Sequence, residues 1–186
     1  MVASVIFLTV AFLTSTLPAA PDPIWQNLSS KRGEIPAPPG GSTMQTGPVV
    51  GDFDGDGVYD FILSFRQKPP ALVWYRRTAT GWDQYVIEKD YLTVEAGGAV
   101  NDIDGDGDLD LVFGGDWQSS DVWWWENPSP NFDKNTPWKR RIIKTGGKTQ
   151  HHDQVFGDFL GTGKSQLAFW YQQAKTQYLA QFPADP

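Results

Sequence analysis

Two short stretches concentrate the residues able to do chemistry. From Asp102 to Asp110, "DIDGDGDLD" puts five aspartates into nine residues, with Gly105 and Gly107 between them. From Asp52 to Asp60, "DFDGDGVYD" has four, with Gly55 and Gly57. Carboxylates ~5 Å apart repel by roughly 3 kcal/mol per pair at an effective dielectric of about 20, so an ordered loop of this kind calls for a neutralising group. Positions 1, 3, 5 and 9 (Asp52, Asp54, Asp56 and Asp60; Asp102, Asp104, Asp106 and Asp110) can converge on one point if the backbone curls tightly, which the glycines permit. Position 7, Val58 or Asp108, would offer its main-chain carbonyl; Val58 has no side-chain ligand, so Asp108 is expected to turn its carboxylate away. A donor set of hard oxygens selects calcium over zinc or copper, and magnesium prefers fewer carboxylates and more water. An EF-hand is excluded because position 12 is Leu63 or Phe113 rather than glutamate, and strand-like sequence follows. The alternative is an acidic surface turn without metal, although turns rarely need more than one or two aspartates.

The elements that must hold these loops are repeated. Three 29-residue windows align without gaps: "VVGDFDGDGVYDFILSFRQKPPALVWYRR" (49–77), "AVNDIDGDGDLDLVFGGDWQSSDVWWWEN" (99–127) and "VFGDFLGTGKSQLAFWYQQAKTQYLAQFP" (155–183). Each opens on an apolar pair, passes an aspartate (Asp52, Asp102, Asp158), turns on glycines and enters two further apolar runs. The runs are short, β-branched or aromatic, and bounded by Gly, Pro or Asp, as strands are. "WDQYVIEK" (Trp82–Lys89) and "WKRRIIK" (Trp138–Lys144) add an outer strand candidate after each of the first two windows. Four strands per unit at a period near 50 residues predict an all-β fold, a β-propeller of about three four-stranded blades. The expected division is residues 1–20 as a signal peptide, 21–41 as an irregular lead-in, and 42–186 as a partial propeller with blades at 42–92, 93–147 and 148–186.

Composition narrows the partners. Net charge is −7, which argues against nucleic acid or an anionic membrane surface. Cysteine is absent, so disulfides and Cys-based zinc sites are excluded. Nine Trp, eleven Phe and six Tyr supply a core despite the polar average. The apolar run from Val5 to Leu13 is too short to span a bilayer comfortably and has the length of a signal-peptide core, which places the protein in a secreted, periplasmic or extracellular setting. No Lys or Arg precedes that run, and Pro18 and Pro21 flank Ala19-Ala20, so a buried strand or an uncleaved anchor is the alternative.

"GDFDGDGVYDFIL" and "NDIDGDGDLDLVF", each followed by a "VWY" or "VWWWENP" strand, resemble FG-GAP/VCBS repeats, the calcium-loop blades of integrin-type propellers and of many secreted microbial proteins. The resemblance covers about residues 44–183 and implies one calcium per blade, held by the aspartates at positions 1, 3, 5 and 9. In the third copy, "DFLGTGKSQ" keeps Asp158, Gly161 and Gly163 but has Leu160, Thr162, Lys164 and Gln166 at the other loop positions, so about two calcium ions are expected and none there.

Ligand-binding candidates lie just before the windows, at "QTGP" (45–48), "EAGG" (95–98) and "HHDQ" (151–154). His151, His152, Asp153 and Gln154 could bind a second metal, act as acid and base, or grip sugar hydroxyls; adjacent strand residues face opposite ways, so at most one histidine is expected to join Asp153. The alternative is one histidine in the core and one in solvent. "HHDQVFGDF" also resembles secreted repeat proteins linked to carbohydrate processing, including sugar dehydratases and polysaccharide lyases. Trp117 is the expected exposed ring, whereas Trp123, Trp124 and Trp125 are expected to pack between blades. The reading is a calcium-stabilised binding module rather than an enzyme, with a carbohydrate or protein partner; the alternative is part of a carbohydrate-active enzyme. Three blades do not close a propeller, so the remaining blades would come from a longer product or from self-association.

Overall fold

A computed structural model describes residues 24–186, and the expected signal peptide lies outside the described residues. The chain folds into three antiparallel sheets. The first is β1 (Gln45–Gly51), β2 (Asp60–Phe65), β3 (Leu72–Thr78) and β4 (Gly81–Glu88), in sequence order. The second is β5 (Ala99–Asn101), β6 (Asp110–Gly114), β7 (Val122–Glu126) and β8 (Lys139–Lys144), again in order. The third has three strands, β9 (His151–Gly157), β10 (Gln166–Tyr171) and β11 (Thr176–Ala180). The two outer strand candidates form β4 and β8, and among the described residues helix is confined to three short 3-10 turns.

Period-2 alternation explains how the sheets stack. In the first sheet Ile62 pairs with Trp74, and Phe61 with Tyr75, so the two pairs face opposite sides. Ile62 and Trp74 enter a core shared with Leu111, Phe113, Trp123 and Trp125 of the second sheet. The second sheet's other face, Val112 and Trp124, meets Leu167 and Phe169 of the third. Each sheet thus sets the same register positions against its successor. The tryptophan triplet divides as expected, with Trp123 and Trp125 in one core and Trp124 in the next.

The two ends of the stack differ. Phe61, Leu63 and Tyr75 on the outer face of the first sheet are covered by Ile35 of the lead-in, which Gln84 anchors by donating to the Ala37 carbonyl at 2.9 Å. On the outer face of the third sheet Val155, Ala168 and Leu179 lie side by side, and Val155 and Leu179 are exposed.

Candidate metal centre

Each loop follows the first strand of its sheet. Between β1 and β2, one oxygen from each of Asp52, Asp54 and Asp56 lies within 4.8 Å of the others; Asp102, Asp104 and Asp106 do the same between β5 and β6. Ligands on opposite sides of a calcium ion at about 2.3–2.6 Å stand roughly 4.6–5.2 Å apart, so both triads fit a single coordination shell. The glycines at positions 4 and 6 provide the curl: Gly55 and Gly57 have φ of 70° and 87°, Gly105 and Gly107 of 82° and 99°.

The third loop separates what folding needs from what a cation needs. Asp158 accepts N–H bonds from Thr162 at 2.9 Å and Gly163 at 2.7 Å. Asp52 accepts from Asp56 and Gly57 at 3.1 and 2.9 Å, and Asp102 from Gly105 and Gly107 at 2.7 and 3.2 Å. The position-1 aspartate and the two glycines are thus common to all three turns. In the third loop Gln166 accepts from the Leu160 N–H at 3.1 Å, and its amide donates to Thr162 Oγ1 at 3.3 Å and to the Lys164 carbonyl. Those two acceptors occupy positions 5 and 7, so a neutral amide gathers the oxygens a cation would gather.

Asp60 and Asp110 stand apart from the triads. Asp60 accepts from Trp74 Nε1 at 2.9 Å and Arg77 N–H at 2.6 Å; Asp110 accepts from the Asn127 N–H at 2.9 Å and the Ile103 N–H at 3.0 Å. Both are buried, and burial raises their pKa values, that of Asp110 to about 7. Position 9 thus closes the loop onto the strands, the place Gln166 fills in the third copy.

Asp108 is half-buried beside the second triad. Its Oδ1 is buried without a hydrogen-bond partner, and its carboxyl is pushed up to about 7, first by burial and then by Asp106, Asp104 and Asp102. Its carboxyl therefore feels the charge of the cluster while lying outside the Asp102, Asp104 and Asp106 triad. Asp104 is raised by the same two causes, whereas Asp158, without acidic neighbours, is lowered by its N–H donors. Val58 is exposed, and its N–H donates to Asp56 Oδ1 at 2.8 Å. In the first loop Arg76 pairs with Asp54, a partner 22 residues away that no local pattern reveals.

The remaining candidates gather where the three sheets begin. Ala96 and Gly97 carbonyls accept the N–H groups of Asp153 at 3.3 Å and Gln154 at 3.0 Å, and a Cβ on Gly47 would lie 3.1 Å from the Gly97 nitrogen. His151 is fully buried against Tyr171, ring centroids 4.4 Å apart, with neither ring nitrogen hydrogen-bonded. Burial and Lys144 lower its pKa to about 4. His152 instead meets Asp153 through Nδ1 and Gln172 through Nε2. Gln154 is buried, its amide donating to the His151 carbonyl at 3.2 Å, while Trp117 is 62% exposed. Sequence reasoning missed the adjoining cluster in which Arg66 pairs with Glu95, lies 3.8 Å from buried Asp116, and Gln150 donates to Glu95 at 3.0 Å. "EAGG" pointed to the region, but Arg66 and Asp116 lie in other segments.

Comparison with protein-family models, with curated proteins and with solved structures returns no match for this chain.

Proposed function

We propose that this chain is a calcium-stabilised binding module built as part of a β-propeller of the FG-GAP/VCBS kind. The observation that carries the reading is the contrast among its three loops. The third folds with one aspartate and the neutral Gln166, yet the first two hold additional acids at positions 3 and 5 whose oxygens approach within 4.8 Å. Holding them there without a cation costs repulsion that a divalent ion would reverse. The ion's role is structural: it binds the native loop better than the unfolded chain, so its binding free energy adds to stability.

The propeller reading rests on the repeated face-to-face stacking and on the uncovered face of the third sheet, where a further sheet would continue the series. A calcium-rich setting outside the cell suits both the metal and the apolar N-terminal run. Titration calorimetry on the full chain should give about two calcium ions, and a chelator should lower the melting temperature by several degrees. Replacing Asp54 and Asp56 with Asn should leave one ion. Absence of both heat and thermal shift would overturn the reading.

A second reading, a carbohydrate-active enzyme, is favoured only by the contact between His152 and Asp153, a pairing suited to proton transfer. Because His151 is buried, the decisive variant is His152→Ala. Undiminished turnover of polysaccharide or sugar substrates, or none to diminish, eliminates this reading.

A further inference from the structure

We infer that the two acidic loops take up their cations as a coupled pair, and that Asn127 is the positioning residue that couples them; this rests on the calcium reading above. Asn127 follows β7 directly and is 3% exposed. Its Nδ2 donates to the Phe53 carbonyl at 2.9 Å and to the Leu109 carbonyl at 3.1 Å. Phe53 lies between Asp52 and Asp54 in the first loop, and Leu109 between Asp108 and Asp110 in the second. A single planar amide therefore pins one peptide group in each loop. Its own backbone N–H donates to Asp110 at 2.9 Å, and its Oδ1 accepts from the Ser129 N–H at 3.2 Å, so the amide has little freedom of its own.

The packing around this tie leaves no slack. The Phe53 ring is fully buried in the core between the first and second sheets, with Leu109 against it. A Cβ added to Gly51 would lie 2.9 Å from Leu109 Cδ1 and 3.1 Å from Phe53 Cζ. The Phe53 carbonyl shares its peptide plane with the Asp54 N–H, and the Leu109 carbonyl shares its plane with the Asp110 N–H. When a cation draws together positions 1, 3, 5 and 7 of one loop, the resulting movement reaches the other loop through this amide.

The next junction in the stack lacks the tie. In the aligned windows the counterparts of Phe53, Leu109 and Asn127 are Ile103, Ser165 and Pro183. Proline has no side-chain donor, and these three residues line a cleft of about 350 Å³ between the second and third loops. The amide is thus present where two acidic loops adjoin, and absent where an acidic loop adjoins the neutral one. Coupling of this kind must be reciprocal, so emptying either loop should weaken the other by the same factor.

Calorimetric calcium titration of the full chain tests this as a cycle. Asp104→Asn with Asp106→Asn disables the second loop, and Asn127→Leu removes both amide bonds while keeping the backbone N–H. With Asn127 present, disabling the second loop should weaken calcium binding at the first by roughly 5-fold or more, the lower end of usual allosteric coupling. In the Asn127→Leu background it should have no effect. Equal effects in both backgrounds would overturn the coupling while leaving calcium binding intact; absence of calcium binding in the wild-type chain would overturn both readings. A second readout leaves Asn127 in place, in case its replacement prevents folding. In the second-loop double variant, calcium bound at the first loop should still slow amide exchange at Gly107, and unchanged exchange there would overturn the coupling.

Discussion

Asp60 and Asp110 direct both carboxylate oxygens at the protein's own N–H groups. Replacing Asp110 with Ala leaves two buried N–H donors without acceptors, at about 1–3 kcal/mol each, so a loss of roughly 2–6 kcal/mol is expected. Chemical denaturation in the presence of chelator checks this: a loss seen only with calcium would make Asp110 a ligand rather than a structural acceptor. His151 sets a second residue-scale expectation. Its folded pKa of about 4 lies below the ordinary 6.5, so the unfolded chain binds the proton more readily. Stability is therefore lost as pH falls from about 6.5 towards 4. Asp108 and Asp110, both raised to about 7, act with the opposite sign in the metal-free chain, which gains stability as pH falls from 7 towards 4. Lys144 and Asp121 also face His151, with opposing effects on its charge. In chelator, His151→Phe should gain about 2–3 kcal/mol on the wild-type chain between pH 7 and pH 4.5. Parallel pH profiles would remove His151 from the acid response. Adjacent histidines on a strand were expected to part, and the sequence alone could not say which one would be buried. That choice depends on Tyr171, whose ring reaches His151 only after β9 and β10 pair.

Among the elements, the three loops form an internal comparison. They share a position-1 aspartate, two glycines and the following strand, but the third departs from the other two at positions 3, 5 and 9, and position 7 differs in all three. Gln166 closes the third loop with a neutral amide, so this loop should hold its shape without metal. Hydrogen exchange should accordingly show that chelator speeds exchange at Gly57 and Gly107 while leaving Gly163 unchanged; equal acceleration at all three would reject the distinction. Replacing Gln166 with Ala should speed exchange at Leu160 and Thr162 with or without calcium. These loops and their flanking strands were legible because gapless repetition, glycine spacing and period-2 apolar runs are local signals. Asn127, Arg76 and the Arg66–Glu95 pair were not. Each acts on a partner from another segment, and its meaning appears only when the sheets stack.

At the scale of the molecule, the sheets are arranged in series, and their two interfaces are unequal. The first joins Phe53, Trp74, Phe113, Trp125 and Trp138 with several aliphatic residues, and is bridged by Arg140 on Glu88 and by Asn127. The second rests on a smaller set, chiefly Val112, Trp124, Leu167 and Phe169, with Lys144 over the Tyr171 ring at 4.4 Å. It also encloses an uncompensated histidine and borders the open cleft at Pro183. Serial arrays gain stability from each unit and from each neighbouring interface, so the weaker interface sets where opening begins. The third sheet should therefore exchange its β9–β11 amides at a lower opening free energy than β2, β3, β6 and β7. On the proposed reading calcium should widen that gap, because the acidic triads found among the described residues lie in the loops of the first two sheets. Native-state hydrogen exchange across a denaturant series, with and without calcium, measures both quantities. If all three sheets share one opening free energy and calcium raises it equally, the molecule unfolds as a single unit, and the second interface is stronger than its packing indicates.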